Sequence, residues 1–153
     1  METYIEKRKL PYTLDQIFDL VADVESYEDF VPGWQHARIL ESDGDVVYVD
    51  QEVGMGLFHT SFVSQGIFTR PESIEITSSD GPFVYLAIRW TFEATEESGC
   101  MIRFHASFEL RSRFLEKFVG PIFNDIMGRC VSAFEQRAHE LYAQFDVPEH
   151  GVG

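Results

Sequence analysis

The sequence predicts an α+β domain: a curved antiparallel sheet of six to seven strands wrapped around one long C-terminal helix, with short helices after the first strand. Three observations carry this. From Gln35 to Arg111 apolar and polar residues alternate between turn signals, the period of half-buried strands. Beyond Arg111 apolar residues recur at steps of three, one and four, the period of a helix. Ahead of both stands a short amphipathic segment with a helix-start signal.

Taken in order, Thr3 to Lys9 reads as the first strand, broken by Leu10-Pro11-Tyr12. Thr13 is the expected N-cap of a first helix. With Gln16 it makes a capping box, Asp15 suits the positive helix end, and Leu14, Ile17, Phe18 and Val21 form an apolar stripe. This helix is expected to run to about Val24, with a second short turn over Glu25 to Phe30 that Val31-Pro32-Gly33 must end.

Asp43-Gly44-Asp45, Arg70-Pro71-Glu72, Asp80-Gly81-Pro82 and Glu97-Ser98-Gly99 divide the next region into hairpins. In the clearest of these, Leu86, Ile88, Trp90, Phe92 and Ala94 share a core face, as do Ile102, Phe104, Ala106, Phe108 and Leu110 on the partner. Arg89, Glu93, Arg103, His105, Ser107 and Glu109 take the wet faces.

In the final helix Leu115, Phe118, Val119, Ile122, Phe123, Ile126, Met127, Cys130, Val131, Phe134, Ala138, Leu141 and Tyr142 make a nearly unbroken stripe. About 28 residues at ~1.5 Å each give a rod of roughly 40 Å, long enough to cross the sheet, with Pro121 at its start or at a kink. One domain over residues 1–145 and a flexible tail at 146–153 are expected.

Composition narrows function. The chain has 153 residues, with 12 basic and 26 acidic side chains for a formal charge of −14, which disfavours DNA and general nucleic-acid binding. The charge is uneven. Residues 1–100 hold 6 basic and 19 acidic side chains, whereas residues 101–143 hold 6 and 5, so an anionic surface would meet the C-terminal third. Two cysteines thirty positions apart support neither a disulfide scaffold nor a zinc knuckle. No signal peptide or membrane span is read, so a cytoplasmic location is expected, with peripheral contact at the membrane as an option.

Catalytic signatures are missing. There is no Walker loop, nucleophile elbow or His-Glu-x-x-His, and Gly54-Met55-Gly56 lacks the strand-to-helix context of a dinucleotide site. We therefore expect no enzyme, no catalytic residue, no metal site and no catalytic cofactor. His105 and His139 fall on polar faces, while His59 follows a glycine-rich turn that could border a cavity. Glu109 and Glu135 are read as surface carboxylates, and Cys100 and Cys130 as small core residues.

The segment Tyr12-Thr13-Leu14-Asp15-Gln16-Ile17-Phe18-Asp19-Leu20-Val21-Ala22-Asp23-Val24-Glu25-Ser26-Tyr27, followed by Phe30-Val31-Pro32, resembles the opening of the coenzyme Q-binding, START-like polyketide cyclase family. Gly81-Pro82-Phe83 with Trp90-Thr91-Phe92, Phe108-Glu109-Leu110-Arg111-Ser112 and the helix motif Ala133-Phe134-Glu135-Gln136-Arg137-Ala138-His139-Glu140-Leu141-Tyr142 resemble its later blocks. The chain departs from the family at Pro32-Gly33-Trp34-Gln35, where relatives usually place Trp-Cys directly after the proline.

The resemblance implies a helix-grip (START-like) fold with a hydrophobic tunnel holding ubiquinone or a similar polyisoprenoid lipid, in a monomeric carrier or chaperone serving respiration or quinone biosynthesis. Val31, Trp34, Phe62, Leu86, Trp90, Phe104, Ile122, Ile126 and Met127 are the expected ligand-binding residues. Leu57, Phe58, Arg111, Arg113 and Lys117 are the expected membrane contact. The same family includes bacterial ribosome association toxins, which makes the large ribosomal subunit an alternative partner. A cyclase or aromatase using the same cavity is a second alternative.

Overall fold

Residues 2–55 and 58–143 are described by the computed structural model. Leu57 and the tail at 146–153, both named in the sequence reading, lie outside the described residues. In chain order the elements are β1 (Glu2–Leu10), α1 (Leu14–Ala22), a single 3₁₀ turn (Val24–Ser26), α2 (Tyr27–Phe30), β2 (Trp34–Asp43), β3 (Val46–Met55) and β4 (Phe58–Thr69). Then come β5 (Ser73–Ser78), β6 (Phe83–Ala94), β7 (Cys100–Leu110) and the long helix α3 (Arg113–Tyr142).

The seven strands form one antiparallel sheet in the order β1-β7-β6-β5-β4-β3-β2. Each hairpin neighbour pairs with the next, and β1 returns to the far edge against β7, in register from Glu2 opposite Phe108 to Leu10 opposite Cys100. The two short helices carry the chain from one edge of the sheet to the other. This is the helix-grip arrangement that the sequence predicts.

Thr13 caps α1 as expected: its Oγ1 accepts from Gln16 N at 3.1 Å, and Gln16 Oε1 accepts from Thr13 N at 3.0 Å. The helix stops two residues short of Val24. The Asp23 N–H closes the last turn on the Asp19 carbonyl, and Ser26 Oγ donates to Asp23 Oδ2 at 2.6 Å, which tightens the following residues into a 3₁₀ turn. Thr13→Ala should lower stability by about 1 kcal/mol, read as a fall in the urea midpoint at unchanged slope.

Helix α3 is 30 residues long, about 45 Å at 1.5 Å per residue. Its N-cap is Ser112, whose Oγ accepts from Leu115 N at 3.2 Å. Pro121 therefore lies inside the helix and does not start it, leaving the Lys117 carbonyl without the N–H of residue 121. The helix is tied to β1 by Arg8, which reaches Glu135 Oε1 at 3.0 Å and Ser132 Oγ at 2.9 Å. Tyr142 Oη donates to the Gln16 carbonyl at 2.8 Å and fastens the helix's last residue to α1.

The alternation of β6 and β7 holds with two exceptions. Ala94 is exposed because it ends β6, and the short side chain of Ser107, with Thr3 and Ala87 opposite it, is buried. All five inward residues of β7 are buried.

Candidate functional site

The inner faces of β3 to β7 and one side of α3 do not close completely on each other. Between them lies a cavity of about 410 Å³, within the usual range for small-molecule sites. Phe62, Leu86, Trp90 and Phe104 line it from the sheet, Ile122, Ile126 and Met127 from the helix, and Val31 and Trp34 from the segment after α2. All nine residues expected to contact a ligand thus converge on one space.

Its inner end is aromatic. The Trp90 ring packs edge-on against Phe104 at 4.6 Å and Phe134 at 4.9 Å, and Phe134 also meets Tyr27 at 5.2 Å and Phe30 at 5.1 Å. The mouth is marked by exposed residues: Pro32 and Gly33 on one side, Ile122 (39% exposed) and the Asp125–Arg129 ion pair, 3.0 Å long, on the other. Phe58, expected at a membrane, is half-buried and lines the cavity too.

Gly33 follows Pro32 at the mouth, and its backbone explains why glycine stands there. Its φ is +87°, its carbonyl accepts from Gly54 N at 2.8 Å, and a Cβ would lie 3.1 Å from the Gly54 oxygen. A register shift follows at once, with Trp34 opposite Val53 but His36 opposite Glu52. This bulge puts Trp34 and Ala37 on the same inner face, three residues apart, which unbroken alternation would forbid.

Turned inward, the Trp34 indole N–H donates to Gln51 Oε1 at 2.7 Å, and Gln51 Nε2 donates to Ser64 Oγ at 2.6 Å. Gln51 lines the cavity and is 6% exposed, a polar side chain in an otherwise apolar wall. Neither Gln51 nor Ser64 figured among the expected site residues. The signal was the inward parity of β3, where Val49, Gln51 and Val53 alternate with Asp50 and Glu52.

Ionisable groups near the cavity are held at its mouth or kept neutral. Tyr27 Oη donates to the Val21 carbonyl, and burial drives its pKa far above the usual tyrosine value. Cys130 lines the cavity, and burial pushes its thiol up to about 12; burial likewise raises Cys100 to about 11. Unfolded thiols ionise near pH 8.5, so above that pH the unfolded chain has lost protons the folded one keeps. Stability from these two groups is complete below about pH 8.5 and falls as pH rises towards 11–12. Iodoacetamide at pH 8 should leave both thiols unlabelled in the folded protein and label both in urea; labelling of folded protein at the unfolded rate would contradict this.

Among the described residues no histidine lines the cavity. His59 faces outward, bonded to Gln35 Oε1 at 2.6 Å and Glu52 Oε1 at 3.1 Å. His139 is half-buried instead of fully solvated, with Nδ1 2.5 Å from Tyr12 Oη and Nε2 3.6 Å from Glu135.

A larger depression of about 710 Å³ lies between the end of β7 and the first turns of α3, lined by Glu109, Arg111, Arg113, Glu116 and Lys117. It is open to solvent and mixed in charge, so it cannot desolvate an apolar ligand as the inner cavity can. Arg111 is not a free charge here: Nη2 donates to the Ser79 carbonyl at 2.7 Å and Nε to Gly81 at 3.2 Å, bracing the β5–β6 turn.

Residues 10–135 match the family described as polyketide cyclase / dehydrase and lipid transport. The chain belongs to that family. It is 34% identical over 134 residues to the ribosome association toxin RatA of Escherichia coli K12, covering 88% of this chain and 85% of that protein. It is 28% identical over 149 residues to the mitochondrial coenzyme Q-binding protein COQ10 homolog B of Xenopus laevis, covering 95% of this chain and 61% of that one. A START superfamily protein from Mycobacterium smegmatis superposes with a TM-score of 0.80 over 92% of this chain and 99% of its own, at 14% identity, a likeness of fold. The family thus spans relatives named for lipid binding and for ribosome association.

Proposed function

We propose that this protein binds ubiquinone or a similar polyisoprenoid lipid in the inner cavity and carries it without chemical change, exchanging it by peripheral contact at the cytoplasmic face of a membrane. The observation that carries the reading is the cavity itself: enclosed on most sides, walled by aliphatic and aromatic side chains, and open at one mouth. Desolvating a long apolar ligand there gains roughly 25 cal/mol per Å² of buried apolar surface. The similarity to a coenzyme Q-binding protein supports the choice of lipid. A carrier role without catalysis is supported by the lining, whose carboxylate and guanidinium, Asp125 and Arg129, pair with each other in solvent at the mouth.

Extraction of the protein from a quinone-producing host with organic solvent, followed by mass spectrometry, tests this. Stoichiometric ubiquinone is the expected result; an empty extract together with no uptake of added quinone would refute it.

The exchange surface is best placed at the start of α3. Phe114 (79% exposed) and Phe118 (55% exposed) stand one turn apart, Ile122 continues the row to the cavity mouth, and the exposed Arg113 and Lys117 flank it. Among the described residues no helix is long and apolar enough to cross a bilayer. Phe114→Ser with Phe118→Ser should reduce flotation with anionic phospholipid vesicles about tenfold or more, and Arg113→Glu with Lys117→Glu by a similar factor at low salt. Unchanged flotation of both pairs would remove this face from the proposal.

A second reading, association with the ribosome, is favoured by the higher identity to a ribosome association toxin. The net charge of −14 opposes contact with an RNA surface. Co-sedimentation with ribosomal subunits at moderate salt, unaffected by filling the cavity, would support this second reading over the first.

A further inference from the structure

Resting on the lipid-binding reading above, we infer that Gln51 is the polar recognition point of the cavity and donates a hydrogen bond from its side-chain amide to a carbonyl oxygen of the bound lipid. The orientation of the amide follows from its neighbour. An indole N–H can only donate, so the atom 2.7 Å from Trp34 Nε1 is the Gln51 oxygen, and the nitrogen is the atom facing Ser64. Trp34 is in turn held inward by the bulge between Trp34 and His36. The amide cannot flip without setting N–H against N–H.

Counting bonds then defines the ligand. The primary amide has two N–H groups; one goes to Ser64 Oγ at 2.6 Å, and the second has no protein acceptor among the described residues. Gln51 is nine-tenths buried and lines the cavity, so the unmatched donor faces an apolar space where leaving it unpaired is costly. The complement is an oxygen acceptor on an apolar body, the chemistry of a quinone or other ketone. A hydrocarbon tail alone leaves the donor unmatched.

The test compares two probes that each carry a six-membered carbon ring and a decyl tail. Decylubiquinone carries carbonyls, and decylbenzene carries none. Affinities of wild type and Gln51→Leu are read by displacement of a bound hydrophobic fluorophore. Gln51→Leu should weaken decylubiquinone about tenfold and leave decylbenzene unchanged or slightly tighter. Equal weakening of both probes, or none for the quinone, overturns the inference while the carrier reading stands. Failure of wild type to bind either probe removes the carrier reading and this inference with it.

Should Gln51→Leu not fold, the infrared spectrum of carbon-13 carbonyl-labelled decylubiquinone bound to wild type decides the matter. One carbonyl band shifted to lower wavenumber than in hexane supports the inference, and bands at their hexane positions overturn it.

Discussion

Ile126→Trp should abolish quinone uptake and leave the fold intact. Ile126 is half-buried on α3 and lines the cavity, so an indole there extends into empty space instead of into packed core. Overpacking normally costs about 1–3 kcal/mol because neighbours must move, but here the volume to receive the ring already exists. The urea midpoint should therefore stay close to wild type or rise, while the affinity for decylubiquinone falls beyond detection. If the variant bound quinone as well as wild type, ligand would have to sit outside the cavity, and the open depression near Arg113 would become the site to examine.

Phe134→Ala should have the largest effect on stability, about 3–5 kcal/mol, out of roughly 5–15 kcal/mol expected for a domain of this kind. The residue is buried on α3 and joins three layers through its ring: Tyr27 and Phe30 from α2, and Trp90 from β6. Deletion removes the only one of these rings that lies on the long helix and enlarges the cavity that Phe134 already lines. A fall in Tm of about 10–15 °C is expected for a chain of this size. A loss below about 1 kcal/mol would mean that the cavity and the neighbouring rings had collapsed into the gap.

These two variants separate residues that the sequence alone could not tell apart. Ile126 and Phe134 belong to the same apolar stripe and both line the cavity, yet Ile126 is only half-buried there and Phe134 is fully buried and clasped by three rings. Periodicity reports which face a side chain takes; it does not report how far the opposite wall stands away. The strands of the final hairpin were legible because their alternation fails at only two positions, Ala94 and Ser107, and α1 because Thr13 and Gln16 make a specific cap. The extent of α3 was nearly legible, although Pro121 suggested a boundary where tertiary packing sustains the helix.

What stayed hidden depends on backbone irregularity and distant partners. The bulge after Trp34 breaks the parity from which an inward tryptophan would be deduced. Gln51 stands between Asp50 and Glu52, and only its bonds to Trp34 and Ser64, 17 and 13 positions away, reveal why it is tolerated inside. Arg111 showed its charge in the sequence but not the two carbonyls of the β5–β6 turn that hold it.

The pairing of β1 with β7 imposes an order of events on synthesis. Leu10 leaves the ribosome some ninety residues before its partner Cys100, and Glu2 waits still longer for Phe108. Throughout that interval β1 has no strand to bind, while the hairpins from β2 to β6 can close on near neighbours with little loss of loop entropy. Sheet completion therefore waits until β7 has been made, and α3, which packs on the finished sheet, comes after it. Nascent chains arrested before Cys100 should expose the N-terminal segment to protease, whereas chains extended past Tyr142 should protect it.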